Sequence, residues 1–130
     1  MKNPFQPGAM RHYERTVRTE DAATFDSGEV HPVYATFALG RDAEWVCRLF
    51  VLEMKDDDEE GIGTYLNISH HSPALVGQKV EFTGVLKEVN AHEVIATFEA
   101  KVGERLIAKG ETGQKILKKE KLNHLLSKVE

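Results

Sequence analysis

The sequence predicts an α+β fold, an antiparallel sheet of about five strands wrapped around one central helix, with a short helix at the C-terminal end. Two observations predict it. Apolar residues step at helical intervals through one long segment, Leu39, Ala43, Val46, Cys47, Phe50 and Met54, the signature of an amphipathic helix with one face meant for burial. Beyond Gly61 the period switches to two and recurs in segment after segment, the signature of strands. Short links between those strands demand antiparallel pairing, and one helix can cover only one face of the sheet they form.

Residues 1–10 carry Pro4, Pro7 and Gly8 without periodicity and are expected to be a flexible lead-in to a single domain over 11–130. Tyr13 to Thr19 reads as a first strand, and Asp26-Ser27-Gly28 marks a turn before Val30. The helix begins near Ala35 and runs to about Met54. The acidic run Asp56 to Glu60 cannot extend it, because negative charge opposes the dipole at a helix C-terminus, and is expected to be a solvated loop. In the next segment Leu66, Ile68 and His70 share one face while Tyr65, Asn67 and Ser69 share the other. Val80, Phe82, Gly84 and Leu86 alternate with polar residues, as do Val94, Ala96, Phe98, Ala100 and Val102, and a last strand runs from about Arg105 to Leu117. Asn90-Ala91-His92 and Gly103-Glu104 supply the hairpin links. Leu122, Leu125, Leu126 and Val129 then form a narrow apolar stripe expected to dock on the same domain or on a second copy, beside a basic cluster of Lys115, Lys118, Lys119 and Lys121.

At 130 residues the chain suits one core, and 41% apolar with 29% charged residues is the composition of an ordinary globular protein. The net charge of −4 provides no basic surface for a nucleic acid backbone. The N-terminal stretch lacks a signal-peptide pattern, and no run of about 18 apolar residues appears. A cytoplasmic protein with no membrane partner is expected. The lone Cys47 falls on the helix's apolar stripe and is expected to pack rather than react. His12, His92 and His124 show no metal-ligand spacing, and neither a phosphate-binding glycine motif nor a Gly-x-Ser-x-Gly elbow is present.

Three residue types of hydrolytic chemistry stand out. Thr36 lies at the helix entrance, where N–H groups and the dipole favour developing negative charge. Glu44 follows eight positions later in the helix, and His70 closes a strand. Each has a purely structural alternative: Thr36 as a helix N-cap, Glu44 as half of an ion pair with Arg48 at i+4, His70 as a hydrogen-bonded core residue. His71, of opposite parity, is the fallback base. His31, just ahead of Pro32, is a loop residue placed to touch substrate or to be solvated.

The runs His31-Pro-Val-Tyr-Ala-Thr-Phe-Ala-Leu39 and Gly61-Ile-Gly-Thr-Tyr-Leu-Asn-Ile-Ser-His-His-Ser-Pro-Ala-Leu-Val-Gly77 resemble those of the hot-dog thioesterases, in the branch typified by fluoroacetyl-coenzyme A thioesterase. The resemblance covers roughly residues 14 to 117. It implies a hot-dog fold, hydrolysis of an acyl-coenzyme A thioester without metal or added cofactor, and a catalytic set of Thr36, Glu44 and His70. It places Gly63 beside the acyl pocket, with Tyr34 and Phe37 setting the pocket's size together with residues of a second subunit. Relatives commonly carry proline where this chain has Phe37. In such a set His70 would move the proton, with Glu44 orienting it or itself attacking the acyl carbon. A non-catalytic acyl-coenzyme A binding module and an enoyl-thioester hydratase or dehydratase are the alternatives on the same fold. An exposed sheet edge further predicts a homodimer or a dimer of dimers.

Overall fold

A helix, α1 (Thr36–Met54), forms where the 3.6-residue apolar period runs unbroken, and it is the element on which the main sheet packs. In this computed structural model, which describes residues 1–25 and 28–129, the inward stripe Leu39, Ala43, Val46, Phe50 and Met54 is wholly buried. The stripe meets a five-stranded antiparallel sheet of β1 (Met10–Thr16), β4 (Glu59–His70), β5 (Lys79–Asn90), β6 (Glu93–Val102) and β7 (Arg105–Lys118), in the order β1-β5-β6-β7-β4. Val80, Phe82 and Leu86 of β5, Val94, Ala96, Phe98 and Ala100 of β6, and Ile107 and Ile116 of β7 complete the core. Each large side chain so buried contributes about 1.5–3 kcal/mol. This is the hot-dog architecture expected from the sequence, with α2 (Lys119–Leu126) following the last strand.

Several details differ from the sequence reading. The first strand starts at Met10 and ends at Thr16, and a 3-10 turn, Thr19–Asp21, follows. A separate hairpin, β2 (Ala22–Phe25) with β3 (Gly28–Tyr34), then precedes α1. The periodicity had not revealed it because Pro32 and two register shifts break its alternation. Of the turn expected at Asp26-Ser27-Gly28, positions 26 and 27 lie outside the described residues and Gly28 opens β3. The acidic run is a loop only through Asp58: Glu59 and Glu60 open β4, where Glu59 is buried and accepts the Asp56 N–H at 2.8 Å. The first residues, expected as a lead-in, make specific contacts. The Lys2 N–H donates to the Met54 carbonyl at 2.8 Å, and Phe5 packs edge-on against Phe50 with ring centroids 5.3 Å apart. Helix α2 buries no residue, leaving Leu125, Leu126 and Val129 exposed, so its stripe is not covered by its own domain. In the neighbouring basic cluster, Lys118 pairs with Asp58 at 2.7 Å.

Strand β4 is an edge of the sheet and carries a bulge. Gly63 pairs with Gln114 and Tyr65 with Gly113, so Thr64 is an inserted residue. The insertion changes which positions face the helix: Gly61 and Gly63 before it, Leu66 and Ile68 after it.

Candidate active site

Thr36, Gly40 and Glu44 recur at i, i+4 and i+8 along α1 and form a second stripe, on which Thr36 is exposed, Gly40 buried and Glu44 half-buried. With Leu66, Ile68 and His70 of β4, and Val33 and Tyr34 of β3, they line a cleft of about 880 Å³. Glu44 also borders two smaller hollows, of about 560 and 270 Å³.

The N-cap of α1 is Ala35, with no side-chain cap, and Thr36 is the first helical residue. Its hydroxyl instead lies 3.0 Å from Nδ1 of His70. The other ring nitrogen, Nε2, is buried without a hydrogen-bond partner among the described residues. A buried, unpaired imidazole nitrogen carries a desolvation cost that a purely structural histidine would avoid by bonding.

Glu44 is not half of an ion pair with Arg48. The Arg48 guanidinium turns to the β4 strand, donating to Glu60 at 2.7 Å and to the Gly61 carbonyl at 3.1 Å. Among the described residues the Glu44 carboxylate has neither a hydrogen bond nor an ion pair, and none joins it to His70, whose ring contact is to Thr36. Gly63 lies against it: a Cβ at that position would fall 2.7 Å from Glu44 Oε1, so a side chain there would push the carboxylate from its present place. Phe37 is 63% exposed at the cleft. Tyr34 forms part of the wall but is buried and donates its hydroxyl to Asp42. Burial first, and then the Asp42 carboxylate, raise its pKa far above the ordinary value. His31 also lines the cleft, whereas His71 is exposed and lies outside it. Among the described residues no cluster of three His, Cys, Asp or Glu is placed to hold a metal.

Behind Tyr34 lies a charged cluster that the sequence reading missed. Arg41 donates through Nη2 to both Asp21 and Asp42 at 3.0 Å, and through Nε to Asp42 at 3.1 Å. Asp21, wholly buried, also accepts the Arg18 backbone N–H at 3.0 Å and lies 3.4 Å from Arg15. Burial alone would raise the Asp21 carboxyl, but the Arg18 N–H and the guanidinium groups of Arg41, Arg18 and Arg15 outweigh it and hold the group well below the usual carboxylate range. The cluster ties the 3-10 turn to α1, and the Ala35 N–H donates to the Asp21 carbonyl at 2.8 Å, which anchors the residue before Thr36. The signal was present in the sequence: Asp42 is three residues after Leu39 and four before Val46, a charge on the inward stripe.

An antiparallel sheet wrapped on a single helix, with a largely apolar cleft, carrying Thr36, Glu44 and His70, between the helix and an edge strand, defines a hot-dog protein of the thioesterase superfamily. The chain matches the fluoroacetyl-CoA-specific thioesterase family over residues 17–120. It is also similar to a thioesterase superfamily member from Thermus thermophilus, at 33% identity over 95% of this chain and 92% of that one, with a TM-score of 0.91. The chain therefore belongs to the fluoroacetyl-CoA-specific thioesterase family. Two further structures share the fold: the fluoroacetyl-CoA thioesterase FlK, at 20% identity over 97% of this chain and 98% of that one with TM-score 0.87, and a hot-dog-like protein from Thermanaerovibrio acidaminovorans, at 17% identity over 94% and 90% with TM-score 0.85. No curated protein matches the chain.

Proposed function

We propose that this chain is a cytoplasmic hydrolase of acyl-coenzyme A thioesters, with Thr36, Glu44 and His70 as its catalytic set and water as the only co-substrate. The observation that carries the reading is the 3.0 Å contact between Thr36 and His70 Nδ1 together with the unpartnered Nε2. With the Thr36 oxygen accepting from Nδ1–H, the Nε2 lone pair is free to take a proton from water. The resulting hydroxide oxygen adds to the thioester carbonyl. The first-turn N–H groups of α1, which no helical carbonyl reaches, favour the oxyanion that forms. The C–S bond then breaks as His70 returns the proton to the departing thiolate, leaving the free acid and coenzyme A. Glu44, with no salt-bridge partner among the described residues and set against Gly63, holds the water or attacks the carbonyl carbon itself to give a mixed anhydride that water opens. Release of free thiol from a panel of acyl-coenzyme A substrates tests the reading, and no release from any member would refute it.

The assembly we propose is a homodimer or dimer of dimers. Strand β4 presents an unpaired edge, and Ile62, Tyr65 and Leu66 along it are exposed, as is Trp45 on α1. Sedimentation showing a monomer at micromolar concentration, with activity intact, would refute the assembly.

A further inference from the structure

Resting on the thioesterase reading, we infer that the acyl group this cleft takes is an aliphatic chain of several carbons, not a two-carbon unit, and that Gly40 sets its length. Polar groups on the wall come from Thr36, Glu44, His70, His31 and Arg41, and the rest is largely apolar, with Ala23, Val33, Ala35, Phe37, Leu66 and Ile68 around Gly40. The apolar part of that wall offers no side-chain hydrogen-bond partner, whereas methylene groups gain by entering it. An acetyl group, about the size of two waters at roughly 30 Å³ each, would leave most of that apolar surface wet. The cleft as a whole is about 880 Å³.

Gly40 sits at the middle of the catalytic stripe, one helical turn from both Thr36 and Glu44. A Cβ there would lie 2.9 Å from Ile68 Cδ1 and 3.1 Å from Leu66 Cδ2. Both are the ends of flexible side chains, and both belong to residues of the cleft wall. A methyl group at position 40 is therefore accommodated by displacing Leu66 and Ile68, which shortens the space open to the acyl chain. The absent side chain is what allows these two residues to lie back against the helix. Helix propensity favours alanine over glycine, so Gly40→Ala carries no backbone penalty.

Thiol release is measured across acetyl-, butyryl-, hexanoyl-, octanoyl- and phenylacetyl-coenzyme A for the full chain and for Gly40→Ala and Leu66→Ala, each checked for an unchanged circular dichroism spectrum. For the natural chain, kcat/KM is expected to rise about fourfold per added methylene until the cleft is filled, so that hexanoyl exceeds acetyl on the order of 100-fold. Gly40→Ala is expected to cut the hexanoyl-to-acetyl ratio by about tenfold or more, and Leu66→Ala to move the preference toward octanoyl. The second variant reads the same wall by enlarging it, should Gly40→Ala not fold. Acetyl-coenzyme A as the best substrate, phenylacetyl above every aliphatic member, or a Gly40→Ala variant that slows all substrates equally would each overturn the inference while leaving a thioesterase in place. No thiol release from any member would overturn the thioesterase reading and this inference with it.

Discussion

Two polar clusters flank the first turns of α1, and they are built on opposite rules. Behind Tyr34, two carboxylates are fully engaged: Asp21 and Asp42 receive Arg41, Asp42 also receives Tyr34, and Asp21 also receives the Arg18 backbone, while Arg15 Nε beside them has no hydrogen-bond partner among the described residues. In the cleft, Thr36 and His70 share one contact, and among the described residues His70 Nε2 has no hydrogen-bond partner and the Glu44 carboxylate no ion pair. The first arrangement satisfies buried charge and holds backbone in place. The second leaves acceptors unsatisfied beside a cleft, which costs stability and is retained where a ligand or a reacting atom completes the bonding. The two clusters differ in their carboxylates: Asp21 and Asp42 are bonded to guanidinium groups, and Glu44 is not.

The comparison breaks most visibly at the open cluster. His70→Ala, Glu44→Ala and Thr36→Ala are each expected to lower kcat for acyl-coenzyme A hydrolysis on the order of 100- to 10,000-fold, with little loss of folding stability. If they act as a unit, Glu44→Ala combined with His70→Ala is scarcely worse than either alone. His71→Ala, outside the cleft, is expected to be mild; full inactivation by it, with His70→Ala near wild type, would move the base to His71. At the closed cluster the sign reverses. Asp42→Ala leaves the buried Tyr34 hydroxyl without its acceptor and removes one of the two carboxylates that Arg41 bridges, and is expected to lower unfolding free energy by about 3–5 kcal/mol, read as a lower urea midpoint. A midpoint that does not move would mean that the network is not structural.

Acid sharpens the same contrast. The folded Asp21 carboxyl titrates below its ordinary value of 3.8, so its stabilisation is fully present above that value and is lost as pH falls through and below it. Between about pH 5 and pH 2 the stability of Asp21→Asn should therefore fall less steeply with acid than that of the natural chain. Equal slopes would show that Asp21 does not report the network. The smallest effect concerns Cys47, whose thiol burial pushes up to about 11. Iodoacetamide at neutral pH is expected to leave it unlabelled in the folded protein and to label it in urea; rapid labelling of the native state would contradict its burial.

Much of this was legible in the amino-acid order, for identifiable reasons. Helix α1 and the last strands carry unbroken periods, so Leu39 to Met54 and Val80 to Leu117 declare their faces directly. The parity of Leu66, Ile68 and His70 placed the histidine on the helix side. Thr36 and Glu44 stood out by chemistry and by resemblance. Other features were hidden by physics that acts between distant segments. Asp21 and Arg15 are unremarkable until folding brings them to Arg41 and Asp42, and the β2–β3 hairpin lacks alternation because its pairing is irregular. The Thr36 to His70 contact joins residues 34 apart, and Glu44 had been expected in the position that Thr36 occupies beside the ring. Gly40 reads only as a weak point in a helix until the side chains opposite it are seen.

The inserted Thr64 has a consequence for how the molecule behaves in a crowd. An exposed strand of 12 residues would ordinarily be a template on which any passing extended chain can add itself, the first step of fibrous aggregation. At Thr64 the hydrogen-bonding rhythm of β4 skips, and the Tyr65 ring lies across the space above Gly113 where a side chain would stand. A flat foreign strand can match the spacing on one side of that skip but not on both. The irregularity that sets Gly63 and His70 on one face also leaves the rim of the sheet unreadable to most other chains.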